Sequence, residues 1–467
     1  MMNSFLGIDF GTSGARAMLI DDHGEALFQT AYALPSEQSA PLWRTALYEL
    51  ITLIPFALRR SIKAIAVDGT SGTMLPCDRD GEALSLPLMY NDSLAFKEAE
   101  ALAAIAPPGH PASAASSGLA KLLWWLNTEL AQRDSVHLSL RERARREGNG
   151  QGSCEHFLHQ ADWLAFQLHG KPGVTDYHNA LKSGGDPERL VYPAWMAALP
   201  GVNLLPRILE PGETVGSITP RMAQYFTLPS DCVVRIGTTD SIAAFIAAGA
   251  RHPGEAVTSL GSTLVLKLLS HGRVDHSPSG IYSHRFGDNW LVGGASNSGG
   301  AVLRSFFDDA QLASLSAKID TGHSSGLDYY PLNKPGERFP LSDPNYPPRL
   351  APRPDSDVQF LHGLLEGMAR IERDGYALIQ SLGATPLACL YSAGGGACNS
   401  AFTAIRAGLM DMPMKTATHT RFPLPNPPPH AGEGANEKGA CFDLAAYGSA
   451  LLARDGKRLL YSHHESV

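Results

Sequence analysis

The sequence has no C-x-x-C pair, no long apolar run and no phosphate loop of the G-x-x-x-x-G-K-[ST] type. Its six cysteines (Cys77, Cys154, Cys232, Cys389, Cys398 and Cys441) are scattered, which argues against a disulfide framework or a zinc knuckle and favours reduced thiols. No segment offers the ~20 apolar residues that a spanning helix needs, so no membrane partner is expected. The amino terminus lacks a basic stretch followed by an apolar run, because Asp9 closes the run Phe5–Ile8 almost at once. No signal peptide is read there, and a cytoplasmic protein is expected. Nor is there a large excess of positive charge: the net charge of −8 suits solubility and speaks against a coat for nucleic acid or anionic membrane. The absence of a P-loop excludes that class of nucleotide enzyme on motif grounds.

What is present is ordinary in bulk and unusual in detail. A chain of 467 residues with 44% hydrophobic and 18% charged residues suits a globular protein with two cores of α/β size. The 46 glycines gather in short clusters, as loops do where backbone must approach a ligand. Strands are predicted at 5–9, 16–20, 26–31, 62–67, 73–77, 233–236 and 388–392, with two more around the turn 261–263. Helices are predicted at 41–54, 119–130, 158–168, 241–249 and 360–382 and from residue 399, and again at 440–453. The first domain is expected to span residues 1–245, joined by a C-terminal helix within 440–467, and the second residues 246–421. Residues 422–439, centred on Pro427–Pro429, read as a Pro/Gly-rich surface insertion, and the charged stretch 141–152 as a solvated one.

Three small-residue turns follow strands. Asp9-Phe10-Gly11-Thr12-Ser13-Gly14 lies between two strands, where inward-pointing N–H groups and the Thr12 and Ser13 hydroxyls suit terminal phosphate oxygens. Asp9, at the strand end, could hold Mg²⁺ through water; the alternative is a hairpin with a structural Asp. Gly261-Ser262-Thr263 has the same character in the other half, and two such turns could grip a polyphosphate. Gly394-Gly395-Gly396-Ala397-Cys398-Asn399 lets backbone lie flat against a ring system, and it is no G-x-G-x-x-G fingerprint because Asn399 breaks the pattern. Asp240 sits at a strand-to-helix junction, where a carboxylate can take the proton of an attacking hydroxyl or simply cap the helix.

With these residues in view, the chain resembles the FGGY family of carbohydrate kinases, within the sugar kinase, Hsp70 and actin superfamily. Seven motifs carry the resemblance in order along nearly the whole length. They are Asp9–Gly14, Thr175–Ala180, Gly237–Ser241, Ser259–Thr263, Gly293–Gly300, Tyr330–Pro340 with its Gly336-Glu337-Arg338-Phe339-Pro340 end, and Gly394–Asn399. The resemblance implies an α/β fold of two actin-like (ribonuclease H-like) ATPase domains flanking a central cleft, with ATP and Mg²⁺ as cofactors. It implies Asp240 as catalytic base, Asp9 as the Mg²⁺ partner, and Thr12, Gly261 and Ser262 around phosphate. Gly395, Gly396 and Asn399 would hold adenosine. Sugar would meet Asp9, Ser13, Gly14, Arg16, Ser71 and Asp240. Where many members carry G-Q-M-H-G, this chain has Asp68-Gly69-Thr70-Ser71-Gly72-Thr73, and this version, with Arg16, is similar to the D-ribulose kinase-like (plant and cyanobacterial xylulose kinase-like) branch. D-ribulose is therefore the first expected substrate and D-xylulose the second. The segment 116–125 resembles the family signature loosely, and a homodimer is left open.

Two rival readings and one metal motif are weighed alongside. Gly322-His323-Ser324-Ser325-Gly326 fits the G-x-S-x-G pattern of serine hydrolases, but a strand is expected after it (327–332), where the nucleophile turn requires a helix. An actin- or Hsp70-like ATPase switch without a sugar substrate is the non-enzymatic alternative. His156 and His159, three apart on a predicted helix near Cys154, lack the further ligands a metal site needs.

Overall fold

The computed structural model describes residues 3–134, 153–412, 414–416 and 444–461. The expected insertions at 141–152 and 422–439 lie outside these residues, as does Cys441. Within the described residues, the opening apolar run forms β1 (Ser4–Phe10), and the turn 11–13 folds it back onto β2 (Gly14–Asp21), which pairs with β3 (Ala26–Ala33). The β-branched run forms β4 (Ile62–Gly69), buried on both faces as a parallel strand requires, and it lies parallel to β1. Two short pairs follow: β5 (Met74–Cys77) with β6 (His156–His159), and β7 (Val174–Asp176) with β8 (Arg207–Leu209). β9 (Thr214–Ser217) and β10 (Val233–Arg235) complete the main sheet, whose order is β3-β2-β1-β4-β10-β9.

A second sheet repeats this plan. β11 (Glu255–Leu260) and β12 (Leu264–Ser270) flank the turn 261–263, and β13 (Tyr282–Phe286) and β14 (Asn289–Ser296) extend the antiparallel side. β15 (Cys389–Ala393) then joins parallel to β11, and β16 (Met414–Thr416) parallel to β15, giving the order β13-β14-β12-β11-β15-β16. The senses of β3-β2-β1-β4-β10 and β14-β12-β11-β15-β16 match strand for strand. The described residues divide into two compact units, 3–244 with 445–459, and 245–416 with 444 and 460–461. Each sheet is the centre of one unit.

Helices cover the sheets with apolar faces. The helix Ala40–Leu53 begins at the Ser39 cap with Pro41 in its first turn, and it buries Trp43, Leu47, Leu50 and Ile51 on the first sheet. In the second unit the long helix Asp357–Ser381 buries Phe360, Leu364, Leu365, Met368 and Ile379 against Leu266, Leu268 and Val292. One fully buried ion pair ties that unit together. Arg406, on the helix Ser400–Met410, donates from Nε and Nη2 to the Glu372 carboxylate of the long helix at 2.6 Å each. Arg406 also reaches Ser392 on β15, while Glu372 accepts from Thr258 on β11. Both helices and both central strands therefore share one charge pair.

The C-terminal helix Leu444–Asp455 returns to the first sheet and lies directly on β1. A Cβ on Gly7 would come 2.1 Å from the backbone of Ala446 and Ala450, and one on Gly448 would come 1.9 Å from the Ala243 carbonyl, so both positions need glycine. Several predicted elements shift. Residues 156–159 are strand rather than helix, because they pair with β5, and the helix begins at Gln160. Residues 327–332 form no strand; Tyr330 makes one isolated bridge, with Arg349. Among the described residues, no helix is long and apolar enough to cross a membrane.

Replacing one member of the buried pair leaves the other as an uncompensated interior charge. Arg406→Met is expected to destabilise the second unit by about 3–5 kcal/mol, and the double variant Arg406→Met/Glu372→Leu by less than the single. Urea denaturation followed by circular dichroism checks both values.

Candidate active site

The first unit gathers carboxylates at the carboxyl ends of three adjacent strands. β1, β4 and β10 run parallel, and their register sets Asp9 opposite Asp68 and Gly69 opposite Thr239, the residue before Asp240. Close approach is built into this junction: a Cβ on Gly237 would sit 1.8 Å from the Val67 carbonyl oxygen. Asp68 is fully buried and Asp9 nearly so. Burial, then the Asp9 charge and a hydrogen bond shared with Asp9, hold the Asp68 carboxyl well above the usual carboxylate range; Asp240 adds to the rise. The Ser449 hydroxyl of the C-terminal helix donates to Asp68 Oδ2 and acts the other way. Arg16 on β2 places Nη1 3.5 Å from Asp9 Oδ2, with its side chain partly exposed.

Asp240 opens the helix Asp240–Ala248, half-buried, and its Oδ1 accepts the Ser241 N–H at 2.6 Å. The turn before it is braced from below. The motif Thr175–Ala180 crosses from β7 into a short helix capped by Asp176, and His178 Nδ1 lies 2.7 Å from the Thr238 hydroxyl. His159 belongs to the same buried network, 2.8 Å from Asp162, 3.0 Å from Ser183 and 3.1 Å from Thr175. It is a buried residue on a strand, held by these three side chains. Among the described residues no group of three or more His, Cys, Asp or Glu is arranged to hold a metal ion on its own.

The loop after β4 is gripped by residues the sequence did not single out. Gln160 Oε1 accepts from the Thr70 N–H at 3.0 Å and the Thr70 hydroxyl at 2.9 Å. The buried Lys121 ammonium donates to the carbonyls of Gly72 (2.8 Å) and Met89 (2.5 Å), and Lys182 donates to that of Ser71 at 3.3 Å. Burial lowers the Lys121 pKa to about 8; Asp92 opposes the shift and Lys182 adds to it. Ser71 is thus carried on a fixed backbone. Thr12 and Ser13 stand exposed in the turn after β1, and the Thr12 hydroxyl donates to the Tyr90 hydroxyl at 3.3 Å. Gly14 is buried at the start of β2. Asp68 had one sequence signal, a strand ending in Asp and followed at once by glycine. Gln160 and Tyr90 had none, since only tertiary contacts bring them to the loop, and Lys121 lay within the segment 116–125 without being marked in it.

In the second unit, Gly261, Ser262, Gly395, Gly396 and Asn399 line a single cavity of about 660 Å³. Gly299, Gly300, Leu312, Ser316, Met368 and Phe402 share its walls. Asn399 has both ends of its amide engaged. Its Oδ1 accepts from the Phe402 N–H as helix cap at 3.0 Å, and its Nδ2 donates to the Ser316 hydroxyl at 2.8 Å. Its amide therefore holds two walls of the cavity together. The hydrolase-like segment is unlike a nucleophile turn, for Ser324 and Ser325 both donate to Glu366 from an irregular stretch with neither the strand nor the helix the motif needs.

No protein-family model matches the chain. Among curated proteins it is similar to a ribulokinase of Shouchella clausii, 26% identical over 308 residues that cover 57% of this chain and 53% of the relative. It is also similar to a xylulose kinase of Klebsiella pneumoniae, 22% identical over 423 residues that cover 84% of this chain and 82% of the relative. The chain spans about half the length of the ribulokinases it matches. Among solved structures, a xyloylose kinase of Brucella ovis shares the fold at a TM-score of 0.76 and 22% identity, covering 97% of this chain and 90% of that one. The two matching sheets described above are thus those of the actin-like ATPase fold. Taken with the seven ordered motifs and the strand-end carboxylates, these likenesses show a chain similar to carbohydrate kinases and sharing their fold.

Proposed function

We propose that this protein transfers the γ-phosphoryl group of ATP to a terminal hydroxyl of a ketopentose, with D-ribulose the first substrate and D-xylulose the second. The observation that carries the reading is the register that brings Asp9, Asp68 and Asp240 to one end of one sheet. A polyphosphate substrate needs a cation, an acceptor hydroxyl needs a base, and one acidic strand end can supply a place for both. The names of the relatives support a sugar as the acceptor, and both pentulose names occur among them. An ATPase switch without a sugar remains the alternative from another class.

In this reading Asp240 accepts the proton of the sugar hydroxyl as its oxygen attacks the γ-phosphorus, and the bond from that phosphorus to the β–γ bridging oxygen breaks to release ADP. Asp9 would hold Mg²⁺, completed by water and phosphate oxygens, and such an ion would neutralise charge on the phosphates. The residues fit a cation, because the Asp68 pKa is raised first by burial and then by the negative charge of Asp9, with Asp240 adding to it. Ser13, Gly14, Arg16 and Ser71 would contact the sugar. Thr12, Gly261 and Ser262 would cradle phosphate, with Gly395 and Gly396 against the adenosine and Asn399 shaping its cavity.

ADP release across pentuloses, hexuloses and glycerol, with the phosphorylated carbon identified by NMR, tests the reading. The highest kcat/KM is expected with D-ribulose; ATP turnover indifferent to every sugar would instead favour the switch. Asp240→Ala is expected to lower kcat by about two to four orders of magnitude with the KM for ATP little changed, read in the same assay. Near wild-type turnover in that variant would remove Asp240 from the role.

A third prediction concerns Asp68, whose folded-state pKa is raised. Below the unfolded pKa the group is protonated in both states and costs nothing. As pH rises beyond it, the unfolded chain loses the proton first and the folded state carries a growing penalty. Asp68→Asn is therefore expected to raise the thermal midpoint by about 2–4 °C near pH 8 and by progressively less toward pH 4. Calorimetry at several pH values checks the slope.

A further inference from the structure

The loop Gly293–Gly300 and the segment Gly336–Pro340 have no part in the roles assigned above, yet they are joined by a dense polar contact. Glu337 is 2% exposed, and its carboxylate takes four close donors and a fifth, the Phe339 N–H, at 3.5 Å. Oε2 accepts from the Ser296 hydroxyl at 2.6 Å and the Tyr330 hydroxyl at 2.9 Å. Oε1 accepts from the N–H groups of Asn297 at 2.7 Å and Arg338 at 2.8 Å. Four donors fill the acceptor positions of a carboxylate, and no other side chain offers as many at that size. A second grip lies beside the first: Arg338 Nε donates to Asn297 Oδ1 at 2.6 Å, and Asn297 Nδ2 donates to the Gly336 carbonyl at 3.0 Å. The next residue, Phe339, is fully buried in the core of the second unit, so the gripping segment is itself anchored.

The other side of the gripped loop meets the turn after β11. The Ser298 N–H donates to Ser296 Oγ at 3.0 Å, and the Ser298 carbonyl accepts from the Leu264 N–H at 2.8 Å. Gly300 N–H donates to the Gly261 carbonyl at 2.9 Å and Ala301 N–H to that of Ser262 at 3.1 Å. Gly299, between them, has a φ of +139°, which a residue with a Cβ rarely adopts. Gly261, Ser262, Gly299 and Gly300 all line the 660 Å³ cavity, whereas Glu337 does not. A continuous path of hydrogen bonds thus runs from a buried carboxylate outside the cavity to the turn inside it.

We propose that Glu337 is a positioning residue for the nucleotide: by fixing residues 296–300 it sets the turn Gly261–Thr263 in the shape that receives the terminal phosphates of a nucleoside triphosphate. The proposal rests on the kinase reading and assigns this residue to nucleotide affinity, separately from sugar affinity. Glu337→Gln keeps the volume but replaces one oxygen by an amide that cannot accept, so part of the grip is lost. In the full-length protein, the Kd for MgADP by calorimetry and the KM for ATP are each expected to rise about tenfold, with the KM for D-ribulose within about twofold of wild type. Hydrogen exchange at the amides of Leu264, Gly300 and Ala301 is expected to quicken about tenfold, with the helix Asp357–Ser381 unaffected. Ser296→Ala, which removes one donor to Glu337 and the acceptor for the Ser298 N–H, is expected to raise the MgADP Kd about threefold. A folded Glu337→Gln protein with wild-type MgADP affinity overturns the proposal. If that variant does not fold, Ser296→Ala with wild-type affinity overturns it instead. Wild-type protein that binds no MgADP would bring down the kinase reading itself, a result distinct from wild type and variant binding alike.

Discussion

Parallel pairing of β1, β4 and β10 is the constraint on which the first unit depends. Parallel neighbours end at the same edge of a sheet, so residues that close each strand are forced together whatever their charge. Here two of those positions are Asp9 and Asp68, and the loop beyond the third leads to Asp240. Assembling acids in a dry corner is costly, and burial beside Asp9 pushes the Asp68 carboxyl well above the usual carboxylate range. The C-terminal helix enters this corner because Gly7 and Gly448 let backbones touch, and it delivers the Ser449 hydroxyl to Asp68. A fold stabilised for its own sake would not gather these groups, so the cost points to chemistry at that edge.

The second unit solves a different problem with the same strand plan. Its turn after β11 carries no acid; small residues and backbone N–H groups occupy the place that Asp9 and its neighbours hold in the first sheet. What keeps that cavity in shape is polar and remote. Glu372 and Arg406 join two helices to two strands, Asn399 joins the Ser400–Met410 helix to Ser316, and Glu337 fixes the loop behind the turn. Glu372, Arg406 and Glu337 are buried and Asn399 is half-buried, and the hydrogen bonds of all four hold the walls of the cavity in place.

Motifs that look alike in one dimension therefore separate into two physical kinds. Asp9, Ser71 and Asp240 stand at strand ends and in loops, Ser71 and Asp240 half-buried and Asp9 almost wholly buried. Asp176, His178, Glu337 and Asn399 lie in equally recognisable motifs, yet their polar atoms bond to other residues and hold the reactive turns in place. Short polar motifs persist in a fold for either reason, and a hydrogen-bond inventory distinguishes them.

Much of this was legible in one dimension. Apolar runs closed by Asp-x-Gly or Gly-Ser-Thr announced strands and turns, because period and turn chemistry are local properties. The order of the small-residue motifs carried the resemblance to carbohydrate kinases for the same reason. Residues 156–159 misled, since their strand exists only by pairing with β5, and 327–332 misled because an apolar run found no partner strand. The grip of Lys121 and Gln160 on the Ser71 loop, the carboxylate company of Asp68 and the hold of Glu337 on the loop 296–300 were decided by tertiary structure alone. Each joins residues some 40 to 380 positions apart, and no local rule of sequence encodes a meeting over that distance.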